Sequence, residues 1–458
     1  MPCCRSPRVR RAALGPLLAL LSGCAAYHAK PLRAPALATL RGPTHQALVR
    51  AARALRVPGV APLRLNFRSP LSGKELGVIA VIANPALRAL RARERIAHAQ
   101  VFAAGLLPDP VISFSALKPY GIGAAGHTTA LSDGFLWDLS RLVTRSTDIR
   151  MAREHASAVR YQVAWREWVA ANATRLAARR VYWLKAEWRI VRRAQALWQG
   201  HEAHLASDLR RHLIARRQWL FFQAAEDGLR LKAAAVHRAL EAARLALAGQ
   251  LGLAPTVPLA LAPPRRLRPV RGAPAALFHR AVARRLDLVA LVAAYRSADA
   301  ALLRAVLDQY PRLSLGAAGA RNSSGVSEAG LQLALVLPLF NANRGAVAIA
   351  RARRRALFAA YVARLAAART QIYRLDAAQA SLNRELADLK GRRRTLSRTA
   401  RSAQAAFKAH ALSLVSYLTW MQELTTVELN MTALHLARAA TTLALITATA
   451  RPWSGGRA

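Results

Sequence analysis

In the stretch Leu331-Gln-Leu-Ala-Leu-Val-Leu-Pro-Leu339, leucine occupies every second position. A period of two is typical of a β-strand that presents one apolar face. Residues 312–320 have the same strand character and reach this stretch through the turn sequence Arg321-Asn-Ser-Ser-Gly325. The two segments therefore predict a β-hairpin in the second half of the chain.

The same plan occurs earlier in the chain at a constant offset of 201 residues. Matching positions at this offset include Pro110 and Pro311, Leu87 and Leu288, and Arg153 and Arg354. Two equivalent halves are the simplest interpretation of such a pattern. We therefore predict a two-fold internal repeat, with residues 71–254 as the first copy and residues 276–450 as the second.

Each predicted repeat contains a helix, two strands and two long helices. The first helices are predicted at 77–105 and 276–308, the weaker strands at 111–117 and 128–139, and the long helices at 142–197, 202–251, 342–390 and 395–449. A helix of about 50 residues is about 75 Å long, and the Ala/Leu spacing favours coiled-coil packing. Breaks at Gln199-Gly200 and at Gly391 are predicted to fold each pair of long helices into a hairpin.

The predicted strands have the length of transmembrane β-strands, about 9–11 residues when tilted. Four strands cannot close a barrel, and open sheet edges are not tolerated in lipid. Several copies of the chain must then share one barrel, which predicts an obligate oligomer. The alternative is a small soluble sheet that caps a helical bundle.

The N-terminus has the pattern of a lipoprotein signal. A basic segment and a short apolar run, residues 12–21, lead to Leu21-Ser-Gly-Cys24. The run is about half the length of a membrane span. Small residues before a Cys resemble the lipobox of bacterial lipoproteins, which implies a lipid (palmitate) anchor at Cys24, and Ala25 favours the outer membrane. Because Cys3 and Cys4 would leave with the signal, no disulfide framework is expected.

The formal net charge of +46 would suggest nucleic acid as a partner, but an exported lipoprotein does not meet the genome, so we expect no nucleic-acid binding. No Walker loop, dinucleotide fingerprint or nucleophile elbow occurs, which predicts no enzyme and no cofactor. The only metal-like cluster comprises His201, His204, Asp208 and His212, and its spacing is not that of zinc hydrolases. We interpret it as a polar helix face and predict no metal site.

From Cys24 to the C-terminus, the chain resembles the outer membrane efflux protein family, the TolC-like channels of tripartite pumps. The resemblance is carried by the lipobox, by Asn84-Pro85, by the segments 103–110 and 137–139, and most of all by Leu337-Pro-Leu-Phe-Asn-Ala-Asn-Arg-Gly345. Residues 101–110 resemble the branch that partners resistance-nodulation-division (RND) pumps.

This resemblance implies a mainly α fold with a small transmembrane β part. Three chains would each supply four strands to a twelve-stranded outer membrane β-barrel, and the coiled-coil hairpins would form a periplasmic α-barrel. The implied partners are two further copies, a periplasmic adaptor, an inner membrane RND pump and outer membrane lipid. The implied function is an exit duct for drugs or metal ions. The alternatives are an exit duct for type I protein secretion and a periplasmic structural lipoprotein without a pore.

By position, the predicted hairpin tips are residues 197–201 and 389–396, with Gly200, Asp388, Gly391 and Arg392 as candidates for the tip or gate. Asp388 is a candidate for an acidic ring inside the duct, and pairing with Arg392 at i,i+4 is the favoured alternative. The remaining predicted segments are a signal peptide at 1–23, a lipid-anchored Pro-rich tether at 24–70, a linker at 255–275 and a tail at 451–458.

Overall fold

A computed structural model describes residues 28–33, 36, 42–122, 124 and 126–453 of the 458-residue chain. The predicted signal peptide, the lipid anchor at Cys24 and most of the predicted tail lie outside these residues. The chain divides into two compact units, residues 1–42 and 43–458. In the first unit, the described residues 28–33 are exposed. All the elements below belong to the second unit.

The order of the elements confirms the predicted repeat, because α2-α3-β1-β2-α4-α5 is followed by α6-α7-β3-β4-α8-α9. The elements are α1 (His45–Arg53), α2 (Gly73–Ala83), α3 (Pro85–Gly105), β1 (Val111–Leu117), β2 (Ala130–Asp138), α4 (Ser140–Arg210), α5 (Arg216–Leu251), α6 (Pro274–Arg284), α7 (Leu286–Leu307), β3 (Arg312–Arg321), β4 (Ser327–Val336), α8 (Arg344–Lys408) and α9 (Leu414–Ala448). The strand β4 ends before Pro338, which has no N–H to donate to a sheet.

The first helix of each repeat is broken in two, where the sequence predicted one continuous helix. The breaks lie at Asn84 and at Arg285, which are equivalent positions of the repeat. The Asn84 side chain accepts from the backbone N–H groups of the next helix and donates to Gln250 O at 2.9 Å. The Arg285 guanidinium donates to Ala448 O at 3.3 Å. Each break therefore ties the start of a repeat to the end of its last helix.

Residues 43–70 do not form the extended tether that the proline content predicted. Thr44 caps α1 by accepting from the backbone N–H of Ala47, and Leu48 and Ala52 lie one turn apart on its buried face. Val60 and Leu65 are also buried, against the main core. The prolines of this segment lie outside α1, so they do not interrupt the helix or prevent the segment from packing against the core.

The main core lies where the two repeats meet. Seven of the eleven residues of α2 are buried, all of them between Leu76 and Ala83, where the helix is apolar on all sides. Its buried residues belong to one core cluster with Trp168 of α4, Leu247 of α5 and Leu445 of α9. The predicted linker and tail take part as well, because Val270 and Trp453 are buried in the same core.

Two helical hairpins extend from this core, α4 with α5 and α8 with α9. α4 has 71 residues and α8 has 65, which corresponds to about 105 Å and about 97 Å. The long antiparallel helices confirm the predicted mainly α class. The helices run beyond the predicted breaks, which moves the hairpin tips.

Candidate functional site: the exposed sheet and the hairpin tips

The four strands form one antiparallel sheet in the order β1-β2-β3-β4, so that the central pair joins the two repeats. The register places Trp137 of β2 opposite Leu315 of β3, and Leu315 opposite Leu333 of β4. The indole N–H of Trp137 donates to Pro108 O at 2.8 Å, which fixes the end of the sheet that is attached to the helices.

The two faces of the sheet differ in chemistry. Because side chains alternate along a strand, the register assigns each residue to one face. The apolar face carries Ile112, Phe114, Leu131, Phe135, Trp137, Leu313, Leu315, Leu331, Leu333 and Leu335. The small-polar face carries Ser113, Ser115, Ser132, Gly134, Ser314, Gly316, Gln332 and Ala334, and toward its two ends also Val111, Leu117, Leu136, Asp138, Arg312, Glu328 and Val336. A hydrogen bond of 2.8 Å between the Ser115 and Ser132 hydroxyls lies on the latter face.

The apolar face is not covered by the described part of the chain. Leu331 is 88% exposed and Phe114 is 80% exposed. Asp133 and Arg321 lie on the same face, close to the loop end of the sheet. Monomeric soluble proteins rarely expose a continuous apolar surface of this kind, so the face indicates contact with a partner or with lipid.

Both edges of the sheet are open. Among the described residues, β1 pairs only with β2, and β4 pairs only with β3. Each outer strand therefore presents a row of backbone N–H and C=O groups that is available to another strand.

The backbone of β2 leaves no room for a side chain at Gly316 of β3. A Cβ atom at this position would lie 1.8 Å from Phe135 O and 3.0 Å from Leu136 Cα. No side chain fits there without moving β2, so glycine is required by the close approach of the two backbones.

The hairpin tips lie further along the chain than the sequence predicted. α4 continues through Gly200 to Arg210, and α8 continues through Gly391 to Lys408. Residues 211–215 and 409–413 form the turns. An exposed glycine inside a helix costs only about 1 kcal/mol, which the packing of a long helix easily offsets.

The tips are set by two histidines in the left-handed region. His212 has a φ of 59° and His410 a φ of 60°, and each follows the last turn of a long helix. The following residues are also alike, with an aliphatic residue two positions on and Ala215 or Ser413 at the next helix start. This shared pattern is the signal that the sequence analysis missed, because His is a less obvious helix terminator than Gly.

The candidate gate residues Asp388, Gly391 and Arg392 are all within α8, and Gly391 is about 26 Å from its end. Asp388 is exposed, and the described residues show no ion pair between it and Arg392. Arg392 instead pairs with Glu423 of α9. The predicted i,i+4 pair is therefore wrong, and the arginine connects the two helices of one hairpin.

Glu428 of α9 connects the two hairpins at a position between the main core and the tips. Its carboxylate accepts from Arg193 of α4 at 3.3 Å and lies 4.0 Å from the guanidinium of Arg393 on α8. Basic side chains of both long helices thus converge on one acidic residue.

An aromatic cluster joins the two hairpins near their tips. Trp198 stacks on Phe222 with ring centroids 5.0 Å apart, and Phe407 stacks on Tyr417 at 5.3 Å. The edge of His201 meets both Phe407 and Tyr417. Burial, and secondarily the charge of His204, lowers the pKa of His201 below its ordinary value.

The metal-like residues are distributed over these features. His204 lies 3.5 Å from Asp208, His201 belongs to the aromatic cluster, and His212 forms the turn. Over the residues that the structure describes, no group of three or more His, Cys, Asp or Glu side chains is arranged to hold a metal ion.

Within the described ranges, one helix, α9, is long and apolar enough to cross a membrane by length and composition. It is also the returning arm of the second hairpin, and its last residues, including Leu443 and Ile446, are part of the main core.

Comparison by sequence identifies no relative. No protein-family model matches the chain, and no curated protein matches it significantly.

Comparison by structure identifies outer membrane channels. The chain is similar to a structure of CusC (TM-score 0.69, 18% identity, 86% of this chain and 96% of the other), whose description concerns transmembrane channel formation. It is similar to the Campylobacter jejuni CmeC outer membrane channel (TM-score 0.71, 13% identity, 87% and 91%). It is also similar to the open state of the Neisseria gonorrhoeae MtrE outer membrane channel (TM-score 0.68, 18% identity, 82% and 88%).

The likeness covers 86–87% of this chain and more than nine-tenths of the CusC and CmeC chains. The chain thus has the fold of the TolC-like outer membrane channels. This confirms the predicted fold class of long helical hairpins with a small sheet.

Proposed function

We propose that this chain is one subunit of a homotrimeric outer membrane exit duct, in which three copies supply four strands each to a twelve-stranded β-barrel. The observation that carries the proposal is the four-stranded sheet with two open edges and two unlike faces. In lipid every backbone polar group must be paired, so a spanning sheet must close on itself. Copies that join β4 of one chain to β1 of the next satisfy this requirement.

The two faces then acquire distinct roles. The leucine-rich face meets lipid, and the Ser/Gly/Gln face lines the water-filled lumen, as is usual in transmembrane barrels. Asp133 and Arg321 are close to the loop end of the sheet, where the membrane interface begins and a charge costs little. The exposed Tyr120, next to the same end, fits an interfacial aromatic belt.

The helical hairpins continue the duct away from the membrane. α8 carries an exposed apolar stripe of Phe358, Val362 and Tyr373. These residues share one face of the helix by their spacing. In the proposed trimer this stripe packs against a neighbouring subunit and completes a helical barrel.

The duct would belong to a tripartite efflux system of the RND type, passing drugs or metal ions from a periplasmic adaptor and an inner membrane pump to the outside. The proposal is supported by the fold shared with the outer membrane channels CmeC and MtrE and by the family resemblance of residues 101–110. The turns at 211–215 and 409–413, and not residues 197–201 and 389–396, form the end that would meet the adaptor. The lipid on Cys24 would anchor each subunit, and the chain would perform no covalent chemistry.

The test is single-channel conductance of the purified full chain in planar bilayers, together with its native mass. We expect a trimer with stable, large-pore conductance. A monomer without conductance, under conditions that keep the helices folded, would identify a structural lipoprotein and overturn the proposal. If a duct is found, transport of small molecules with a reconstituted pump, compared with export of a protein substrate, separates efflux from type I secretion.

Two adjacent substitutions test the assignment of the faces. Leu331→Arg places a charge on the proposed lipid face near mid-strand, at a cost of about 2–4 kcal/mol per chain. Gln332→Arg places the same charge on the proposed lumen face. We expect the first variant to lose barrel assembly in outer membrane fractions, whereas the second assembles and changes ion selectivity. Equal assembly of both variants contradicts the assignment.

A further inference from the structure

A cavity of about 710 Å³ lies beside the main core, away from the sheet and from the hairpin tips. It is bounded by the start of α2, the middle of α4, the linker segment 263–268 and the segment 451–453. The cavity lies within the range of about 300–1,000 Å³ that is usual for small-molecule sites.

The walls of this cavity are strongly basic. Eight of its 24 lining residues are Arg or Lys, and Glu75 is the only acidic residue among them. The Glu75 carboxylate is already engaged, because it accepts from the backbone N–H of Ser72 at 2.8 Å in a helix cap. The lining therefore carries a large excess of positive charge.

Two of the basic residues are buried, and the described residues place no counter-charge beside them. Arg175 is 7% exposed and Arg179 is 8% exposed, one turn apart on α4. Arg175 donates to Asn172 Oδ1 at 2.9 Å and lies over the Trp453 ring, and Arg179 donates to Arg265 O at 2.7 Å. Within the described part of the chain, no carboxylate lies within 4 Å of either guanidinium.

The other buried charges of the described residues are all paired. Glu167 accepts from Arg91 at 2.7 Å, and Glu226 accepts from Arg230 at 2.7 Å. Arg285 donates to Asp287 at 2.7 Å. Since an uncompensated buried charge is costly, the burial of Arg175 and Arg179 beside this cavity needs a physical reason.

The basic groups of the cavity act on one another. The pKa of Arg175 is lowered to about 10 by burial and then by the charge of Arg179. The pKa of Lys74 is lowered by burial and then by the charges of Arg175, Arg265 and Arg268. The guanidinium and ammonium groups thus lie close enough to repel each other, and an anion between them would relieve that repulsion.

We propose that this cavity binds a phosphorylated anion, which either contains more than one phosphate group or is a phosphate ester. Arg is the side chain best suited to phosphate, because its planar fork donates two parallel hydrogen bonds. The number of convergent cations and the volume of the cavity favour a polyanion over a single halide ion. The proposal does not depend on the duct, since the site is contained within one chain.

The primary experiment measures binding of inorganic pyrophosphate to the purified full chain by calorimetry and by thermal unfolding, at constant ionic strength set with sodium chloride. We expect saturable binding and a rise in Tm. The double variant Arg265→Gln/Arg268→Gln removes two exposed side chains of the lining, so it retains the fold. We expect it to weaken binding at least 10-fold.

Arg271→Gln is the matched control, because Arg271 is an exposed arginine of the same linker that does not line the cavity. We expect it to bind pyrophosphate like the wild type. No saturable binding by the wild type, or equal weakening in the double variant and the control, overturns the proposal.

A second probe distinguishes the two sources of such an anion. Dihexanoyl phosphatidate, a soluble short-chain lipid with a phosphate monoester, is titrated under the same conditions. Tighter binding than pyrophosphate, again lost in the double variant, assigns the site to a lipid headgroup. Weaker binding assigns it to a soluble phosphate.

Discussion

The close contact at Gly316 gives a sharp test of the sheet geometry. In the variant Gly316→Ala, the new Cβ atom would lie 1.8 Å from Phe135 O, so β2 and β3 must separate by more than 1 Å before an ordinary contact of about 3.2 Å is reached. Separation weakens one or two ladder hydrogen bonds at about 1 kcal/mol each, and overpacking adds about 1–3 kcal/mol. We expect a loss of about 2–5 kcal/mol per chain.

Gly330→Ala is the matched control for this variant. Gly330 lies on β4 of the same sheet, and no atom lies within 4 Å of a Cβ built there. We expect its stability to change by less than about 0.5 kcal/mol. The assay is denaturant unfolding of the purified protein in detergent, together with the temperature at which its oligomer dissociates on gels. If the two alanine variants unfold alike, the close approach of β2 and β3 is refuted.

Three further substitutions test the core and the tips. Asp287→Asn leaves the buried Arg285 without its counter-charge, so we expect the free energy of unfolding in denaturant to fall by about 3–5 kcal/mol. Asp299→Asn, in an exposed ion pair, is the control and should cost less than about 1 kcal/mol. Equal losses in the two variants would contradict the argument. Because the pKa of His201 is lowered in the folded protein, the unfolded chain binds more protons below pH 6.5, and the free energy of unfolding falls on acidification. His201→Phe keeps the aromatic contacts and removes the titrating group. The Tm of this variant should therefore differ less between pH 7.5 and pH 5.5 than the Tm of the wild type. Gly200→Ala should stabilise the helix by up to about 1 kcal/mol if Gly200 is mid-helix as described, and should destabilise the protein if the tip were there.

Local patterns in the sequence were sufficient to predict the strands and the repeat. The alternation around Leu331 and Leu335 needs only the two-residue period of a strand, and the offset between Pro110 and Pro311 needs only comparison of the chain with itself. The sheet was predicted from this two-residue period. β4 begins at Ser327, before the first alternating leucine, and ends at Val336, before Pro338.

The candidate tip residues were wrong because the prediction relied on local propensity. Gly200 and Gly391 weaken a helix by about 1 kcal/mol each, and contacts along a helix of more than 60 residues exceed that cost. The real tips depend on left-handed histidines, His212 and His410, and on the aromatic cluster that holds them together. The histidines are present in the sequence but are less obvious helix terminators than glycine, and the aromatic cluster is visible only when the neighbouring helices are known.

The sequence by itself determined the class of fold and the alternating strands, because these follow from short-range periods in the chain, and it determined the two-fold repeat, because the same pattern recurs after 201 residues. Only the tertiary structure decided that residues 43–70 pack into the core, that Arg285 is buried against the carbonyl of Ala448, and that the described residues place no carboxylate within 4 Å of Arg175 or Arg179. Burial and charge pairing depend on residues that are far apart in sequence, such as Arg179 and Arg265, and the order of amino acids does not encode those distances locally.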